Sequence, residues 1–286
     1  MKSLEGKIAI VGGASRGAGR GIALALGDAG ATVYVAARTT RGGPKPSDGA
    51  PGTVEDTAEE VTRRGGVGIA APADLGDEAQ VAALFEHAGR VDLVVNAAWA
   101  GNLVDSWHKR FWDLEPDLYR ETARSVDSYW WMSVYAARMM RRQKHGLIVH
   151  VTDNLYPDPH ADREQVLYDF GHEALNRLIT CMSRDAKKAG FAIVGLNPGF
   201  MRTERVLMHM KNEELRKQFR FDLSESPEYI GRAAVALAAD PNAARRSGEL
   251  LWVCDLAEQY GFTDVDGRRI PRFDPTAPIC EAGLAF

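Results

Sequence analysis

Cysteine is scarce. The 286-residue chain holds three, Cys181, Cys254 and Cys280, far apart and in no CxxC pair, so neither a disulfide framework nor a thiolate zinc site is expected. Long apolar runs are absent too; none approaches the roughly 18 residues of a membrane span, and the opening Met1-Lys2-Ser3-Leu4-Glu5-Gly6-Lys7 lacks the apolar stretch of a secretion signal. Basic charge has no excess: 35 Lys and Arg stand against 39 Asp and Glu, a net charge of −4. Neither a nucleic acid nor a membrane is therefore expected as a partner. The seven histidines form no HExxH or paired spacing, so no metal is expected. No repeat, linker or low-complexity block divides the chain. A single domain over 1–286, in the cytoplasm, is the expectation.

What is present is a globular mixture, 45% apolar and 26% charged. Short apolar runs at Ile8–Val11, Thr32–Ala37, Gly68–Ala71, Asp92–Asn96, Leu147–Val151, Ala192–Leu196 and Leu250–Val253 alternate with helical stretches at Ala18–Ala29, Val54–Arg64, Glu78–His87, Pro116–Arg142, Tyr168–Ala189 and Pro227–Ala239. That alternation predicts an α/β fold with a doubly wound parallel sheet. The runs are almost continuously apolar, which predicts strands buried on both faces. Residues 41–52 are rich in Gly and Pro and predict a loop, whereas 204–226 predict a further helix rich in charge and Met.

Directly after the first strand stands Gly12-Gly13-Ala14-Ser15-Arg16-Gly17-Ala18-Gly19, followed by an amphipathic helix. Glycines between a strand and a helix let backbone approach a pyrophosphate and aim helix N–H groups at it. The residues expected to touch the nucleotide are Gly13, Ser15, Arg16, Gly17, Ala18 and Gly19. The second strand's end separates the two nicotinamide cofactors. An NAD site wants an acid there for the ribose 2′-hydroxyl; this chain has Val35-Ala36-Ala37-Arg38. Arg38 and Arg16 can instead bind a 2′-phosphate through charge-assisted hydrogen bonds, and NADP(H) is the expected cofactor.

These motifs resemble the short-chain dehydrogenase/reductase family over nearly the whole chain. Asp74-Leu75 follows the third strand, Asn96-Ala97-Ala98 the fourth, and Asn197-Pro198-Gly199-Phe200-Met201-Arg202-Thr203 the sixth. Asn96-Ala97-Ala98-Trp99-Ala100-Gly101, Ser133–Arg138 and Cys254-Asp255-Leu256 through Asp266-Gly267-Arg268 look most like the family's dehydrogenase/reductase member 1 subgroup. The resemblance implies a Rossmann fold, a homodimer or homotetramer using the helices around 116–142 and 168–189, adenine contacts at Asp74 and Leu75, and further cofactor contacts at Asn96, Ala97, Ala98, Tyr168, His172, Pro198, Gly199, Met201 and Thr203.

The catalytic pattern departs from the family's Ser and Tyr-x-x-x-Lys. The Ser position falls on Asp153, or on Thr152 if the alignment slips by one. The Tyr motif reads Tyr168-Asp169-Phe170-Gly171-His172, and the helix position of the family's Asn falls near Ser125. Tyr168 and His172, four apart, share a helix face. Histidine has an ordinary pKa of about 6.5 and is mostly neutral at pH 7, so it lowers the phenol's pKa less than a lysine would. Alcohol oxidation, which needs tyrosinate, should suffer more than reduction. Asp153 would repel a developing alkoxide and stabilise a cationic iminium.

The expected function is thus NADP(H)-dependent reduction of a ketone or imine of a small apolar molecule. The alternatives are redox-neutral elimination, isomerisation or cyclisation, and a catalytically inactive NADP-binding sensor. Trp99, Trp107, Trp112, Trp130 and Trp131 suit core and subunit packing, with Trp99 a candidate pocket wall. His150 is expected as a satisfied core histidine. Residues 204–226 stand where the family carries a substrate lid, and Leu207, Met208, Met210 and Phe219 suit an apolar cover; 255–286 form a C-terminal extension.

Overall fold

Alternation of strand and helix produces seven parallel strands in the order β3-β2-β1-β4-β5-β6-β7. The computed structural model describes residues 2–44, 46, 49–99, 109–153, 165–218 and 220–273, with residue 218 described through its backbone alone. The strands are β1 (Ile8–Gly12), β2 (Thr32–Ala37), β3 (Val67–Pro72), β4 (Leu93–Asn96), β5 (Leu147–Val151), β6 (Ala192–Asn197) and β7 (Leu250–Trp252). Helices α1 (Gly17–Asp28), α2 (Val54–Arg63), α3 (Glu78–Ala88), α4 (Pro116–Gln143), α5 (Val166–Ala189) and α8 (Pro227–Ala239) match the expected stretches within two residues at each end. The order reverses between β1 and β4, and there the carboxyl ends of a doubly wound sheet open a crevice. This is a Rossmann-like α/β fold.

Successive strand residues feed opposite layers, as the two-residue strand period requires. Ala9, Val11, Val33, Val35, Val149 and Val194 pack with α1, α2 and α8. Ile10, Tyr34, Val94, Ile148 and Ile193 pack with α3, α4 and α5. At the α1–α8 crossing the backbones touch: a Cβ on Gly21 would lie 1.9 Å from the Pro227 carbonyl oxygen, and one on Gly231 would lie 2.6 Å from that of Gly21. Only glycine permits that approach.

Three expectations need correction. The edge strands β3 and β7 are half-buried rather than enclosed, because each has a neighbour on one side only. Residues 204–226 form two short helices, α6 (Glu204–His209) and α7 (Glu213–Gln218), and a 3-10 turn at Phe221–Leu223 in place of one helix. The break falls at Met210 (ψ 56°), and the Asn212 side chain then caps the second piece by accepting from Leu215 N–H at 2.8 Å. Met210 is 1% exposed and belongs to the interior, whereas Leu207 and Met208 are exposed; Phe219 lies outside the described residues. A further helix, α9 (Val253–Tyr260), begins directly after β7. No helix of the described residues is long and apolar enough to cross a membrane.

Candidate active site

Helix α1 begins without a cap of its own. Arg16 at its N-cap makes no capping hydrogen bond, and its first turn holds no acid. A helix start is an anion site; Gly17, the first residue of α1, lines a cleft of about 290 Å³ at the carboxyl ends of the central strands and donates its N–H to Glu204 Oε2 at 2.7 Å. Gly13, with φ +73°, carries the turn past the β4 loop so closely that a Cβ would lie 2.7 Å from the Ala98 nitrogen. A side chain would fill this cradle; glycine keeps it open. Asn96, fully buried, braces the facing loop: its Oδ1 accepts from Ala98 N–H at 3.0 Å and its Nδ2 donates to Ser128 Oγ at 3.3 Å. Ala97 N–H reaches the Gly12 carbonyl at 3.0 Å. These features fit a dinucleotide.

Of the expected nucleotide contacts, Gly13, Ser15, Arg16, Gly17, Ala18, Arg38, Asp74, Leu75, Ala97, Ala98 and Thr203 line this cleft. Gly19 lies behind it, where a Cβ would meet the Gly13 carbonyl oxygen at 2.4 Å. Arg38 is exposed at the mouth. Arg16 also lines it, with its guanidinium donating to the carbonyls of Gly52 at 2.9 Å and Pro51 at 3.2 Å. Asp74 holds its turn by accepting from Gly76 N–H at 3.1 Å, and its other oxygen pairs with Arg124 of α4.

The candidate catalytic residues gather at the ends of β5 and α5. Thr152 is 2% exposed and donates to Asn176 Oδ1 at 2.6 Å, facing the interior of the fold. Asp153 is the residue that meets the tyrosine: Tyr168 donates from its hydroxyl to Asp153 Oδ2 at 2.6 Å. Of the two residues considered for the serine position, Asp153 is the one in contact with Tyr168. His172 lies one turn along α5. Its Nδ1 stands 3.0 Å from the Tyr168 carbonyl oxygen, and because a carbonyl only accepts, Nδ1 carries the proton. Trp99 stacks on this imidazole with ring centroids 4.1 Å apart and planes 22° apart. Gly171 makes room, since a Cβ there would lie 2.6 Å from Trp99 Cη2. Ser125 is buried against the cleft and donates to the Glu121 carbonyl at 3.2 Å.

The segment after β6 is anchored from beneath. Gly199 N–H donates to Glu225 Oε2 at 3.0 Å, and Met201, 8% exposed, bridges to the Glu225 backbone. Pro198, Gly199 and Met201 accordingly stand outside the cleft lining, and Thr203 alone of that group reaches it. Burial pushes the Glu225 carboxyl up to about 8, with the nearby Asp264 charge adding to the effect and the Gly199 N–H and Arg202 opposing it. On the other side of the sheet's end, His150 is 1% exposed and its Nε2 meets Ser133 Oγ at 2.8 Å. Its Nδ1 has no hydrogen-bond partner among the described residues, so this core histidine is satisfied at one nitrogen only.

Sequence reasoning missed Arg124, Glu204 and Arg205, which also line the cleft. Arg124 had a signal. Thr122, Ser125 and Ser128 are polar residues three apart on a long helix, the mark of a helix face turned toward something polar. Glu204 had none, because its contact is with Gly17 N–H at 2.7 Å, far away in sequence.

Comparison with known proteins agrees with this geometry. The family model for short chain dehydrogenase matches residues 7–214. Dehydrogenase/reductase SDR family member 1 of Mus musculus is 36% identical over 282 residues, covering 93% of this chain and 86% of the mouse protein. A short chain dehydrogenase structure from Mycobacterium thermoresistibile superposes with a TM-score of 0.78 at 24% identity, covering 94% of this chain and 92% of that one, a likeness of fold. A candidate NAD(P)-dependent gluconate 5-dehydrogenase from Beutenbergia cavernae, solved with NADP at low occupancy, has a TM-score of 0.70 at 25% identity over 87% of this chain and 96% of its own. With the glycine turn and the β4 loop lining one sheet-end crevice, and Tyr168 and His172 outside that lining but against its Trp99, this chain belongs to the short-chain dehydrogenase family.

Proposed function

We propose that this protein is an NADP(H)-dependent reductase acting on the ketone or imine carbon of a small, fairly apolar molecule. The observation that carries the cofactor half is Arg38 at the end of β2, exposed at the cleft mouth where an NAD site would need an acid. Its guanidinium suits a 2′-phosphate, and the open glycine cradle suits the pyrophosphate. NADPH, when bound, supplies a hydride. Gly13, Ser15, Gly17 and Ala18 would hold the phosphates, Asp74 and Leu75 the adenine side, and Ala97, Ala98 and Thr203 the nicotinamide side. Trp99 would wall the substrate pocket, and 204–226 would cover it as a lid.

The direction of the chemistry follows from Tyr168. Its hydroxyl proton lies between the phenol and the Asp153 carboxylate, and His172 directs its Nδ1–H to the Tyr168 carbonyl oxygen. Neither arrangement favours tyrosinate, the base that alcohol oxidation needs, whereas a protonated phenol can deliver a proton during reduction. The test is NADPH absorbance during a screen of ketones and imines with the purified protein. Consumption of NADPH with a substrate supports the reading. Turnover without absorbance change would replace it by the redox-neutral one, which the Asp153–Tyr168 acid–base pair favours.

A homodimer or homotetramer fits the exposed aromatics of α4 and α5, where Tyr119 and Phe170 stand 6.1 Å apart with about half of each exposed. Closed two-fold symmetry is the usual outcome for such surfaces. A single-chain mass by light scattering would contradict it.

A further inference from the structure

At the position that the resemblance gives to the family's serine, this chain has a carboxylate, and it is hydrogen-bonded to one member of an aromatic cluster. Tyr168 donates to Asp153 Oδ2 at 2.6 Å. The Tyr168 ring lies 4.1 Å from His172 and 5.8 Å from Trp99, and Trp99 stacks on His172. A carboxylate hydrogen-bonded to a phenol, with an indole 5.8 Å from that phenol ring, is the composition of a cation site, because carboxylate and aromatic rings both attract positive charge. The two candidate electrophiles respond to this surrounding with opposite sign. A ketone oxygen gains negative charge as hydride arrives, next to a carboxylate that already holds the phenol's hydrogen bond. An iminium begins positive and is held by the same carboxylate until its charge disappears.

We propose that the substrate is a cation, an iminium ion reduced to an amine, in preference to a neutral ketone. This rests on the reductase reading above. In the step, the C4–H bond of the dihydronicotinamide breaks and its electron pair forms a C–H bond at the iminium carbon. The C=N π pair becomes the nitrogen lone pair, the nicotinamide leaves oxidised, and no proton moves. Asp153 holds the cation, Trp99 and Tyr168 supply π faces, and Tyr168 positions the carboxylate instead of acting as proton donor. The serine-to-aspartate and lysine-to-histidine departures then belong to one change. A site that delivers no proton to oxygen has no use for an ammonium that acidifies the phenol.

The test uses the full chain with saturating NADPH and three probes of one size: N-methyl-3,4-dihydroisoquinolinium, 1-tetralone, and the unreactive N,N-dimethyl-1,2,3,4-tetrahydroisoquinolinium. Calorimetry reads binding of the unreactive ammonium, and absorbance reads reduction of the other two. The ammonium should bind, Asp153→Asn should weaken it about tenfold or more, and NADPH affinity should stay unchanged as the check on folding. The iminium should be reduced about tenfold or more faster than the ketone, and Tyr168→Phe should slow that reduction by less than about tenfold, the loss of a positioning contact and well short of the ~10²–10⁴-fold loss of a general acid. Ammonium binding that ignores Asp153→Asn, or reduction of tetralone as fast as the iminium, overturns the proposal and leaves the reductase reading standing. Asp153-dependent ammonium binding with no NADPH consumed on either probe overturns the reductase reading and iminium reduction with it, leaving only a cation-binding site at Asp153.

Discussion

Glu204 places a carboxylate oxygen 2.7 Å from the backbone N–H of Gly17, joining residues 187 apart in sequence. The bond satisfies a helix start that has no cap of its own and puts negative charge where a pyrophosphate would sit. Both anions cannot hold the same N–H. A pyrophosphate bound to Gly17 N–H would therefore displace Glu204, and with it the start of α6, which Thr203 caps by accepting from Val206 N–H at 3.3 Å.

Glu204→Gln should consequently tighten NADPH binding about three- to tenfold, the ratio expected for ~1 kcal/mol of removed charge competition at a helix N-terminus. Fluorescence titration of NADPH checks it. Adenosine 2′-monophosphate, which lacks the pyrophosphate, should bind both proteins equally. A weaker NADPH affinity in the variant would mean that Glu204 holds the nucleotide-competent loop in place instead of competing with the ligand.

Under the proposed function, Arg38 would carry the cofactor preference. The unmodified protein should bind NADPH about tenfold or more tighter than NADH, since a hydrogen-bonded charge pair contributes roughly 1.5–3 kcal/mol. Arg38→Asp should remove most of that preference, because the 2′-phosphate would meet like charge while a 2′-hydroxyl would gain an acceptor. Equal dissociation constants for the two cofactors before mutation would contradict the assignment.

Local pattern made the fold legible, and distance in sequence hid the rest. The β1 run followed by Gly12-Gly13 showed both the strand and the turn, because period, burial and backbone freedom all act within a few residues. The Asp153–Tyr168 meeting was foreseeable from two motif positions, though only the structure turns Thr152 inward to Asn176. Arg124 reaching Asp74 across 50 residues and Glu204 reaching Gly17 are products of topology. Helix α9 was missed because it starts at the last residue of the apolar run read as β7. Residues 204–226 read as one helix because Met210 and Asn212 carry no Gly or Pro to mark the break.

Gly171 and Trp99 make a packing prediction. Gly171→Ala would put a methyl 2.6 Å from Trp99 Cη2 and 3.0 Å from Thr122 Cγ2, so the indole must leave its stack on His172. A loss of about 1–3 kcal/mol is expected from overpacking of this kind, read by urea unfolding, together with a changed near-ultraviolet circular dichroism. In a Trp99→Leu background the same substitution should cost clearly less, since the two residues touch. Additive losses would show that the stack is not what Gly171 protects.

Two buried groups set opposing slopes in stability against pH. Burial pushes the Glu225 carboxyl up to about 8 from its ordinary 4.5, so between those values the folded state binds the proton that the unfolded state has released. Stability from this group is complete below pH 4.5 and declines as pH rises toward 8. Burial pushes the His150 imidazole down to about 3 from 6.5, so between those values the unfolded state binds the extra proton. That contribution is complete above pH 6.5 and declines as pH falls. Between 4.5 and 6.5 the two slopes cancel. Above 6.5 only that of Glu225 remains, and the protein should lose up to about 2 kcal/mol between pH 6.5 and 8, at ~1.4 kcal/mol per pH unit. Glu225→Gln keeps an acceptor for Gly199 N–H and cannot ionise, so its urea-unfolding free energy should be flat over that interval while the parent's falls. An equally steep decline in both proteins would assign the pH dependence to another group and remove Glu225 from the account.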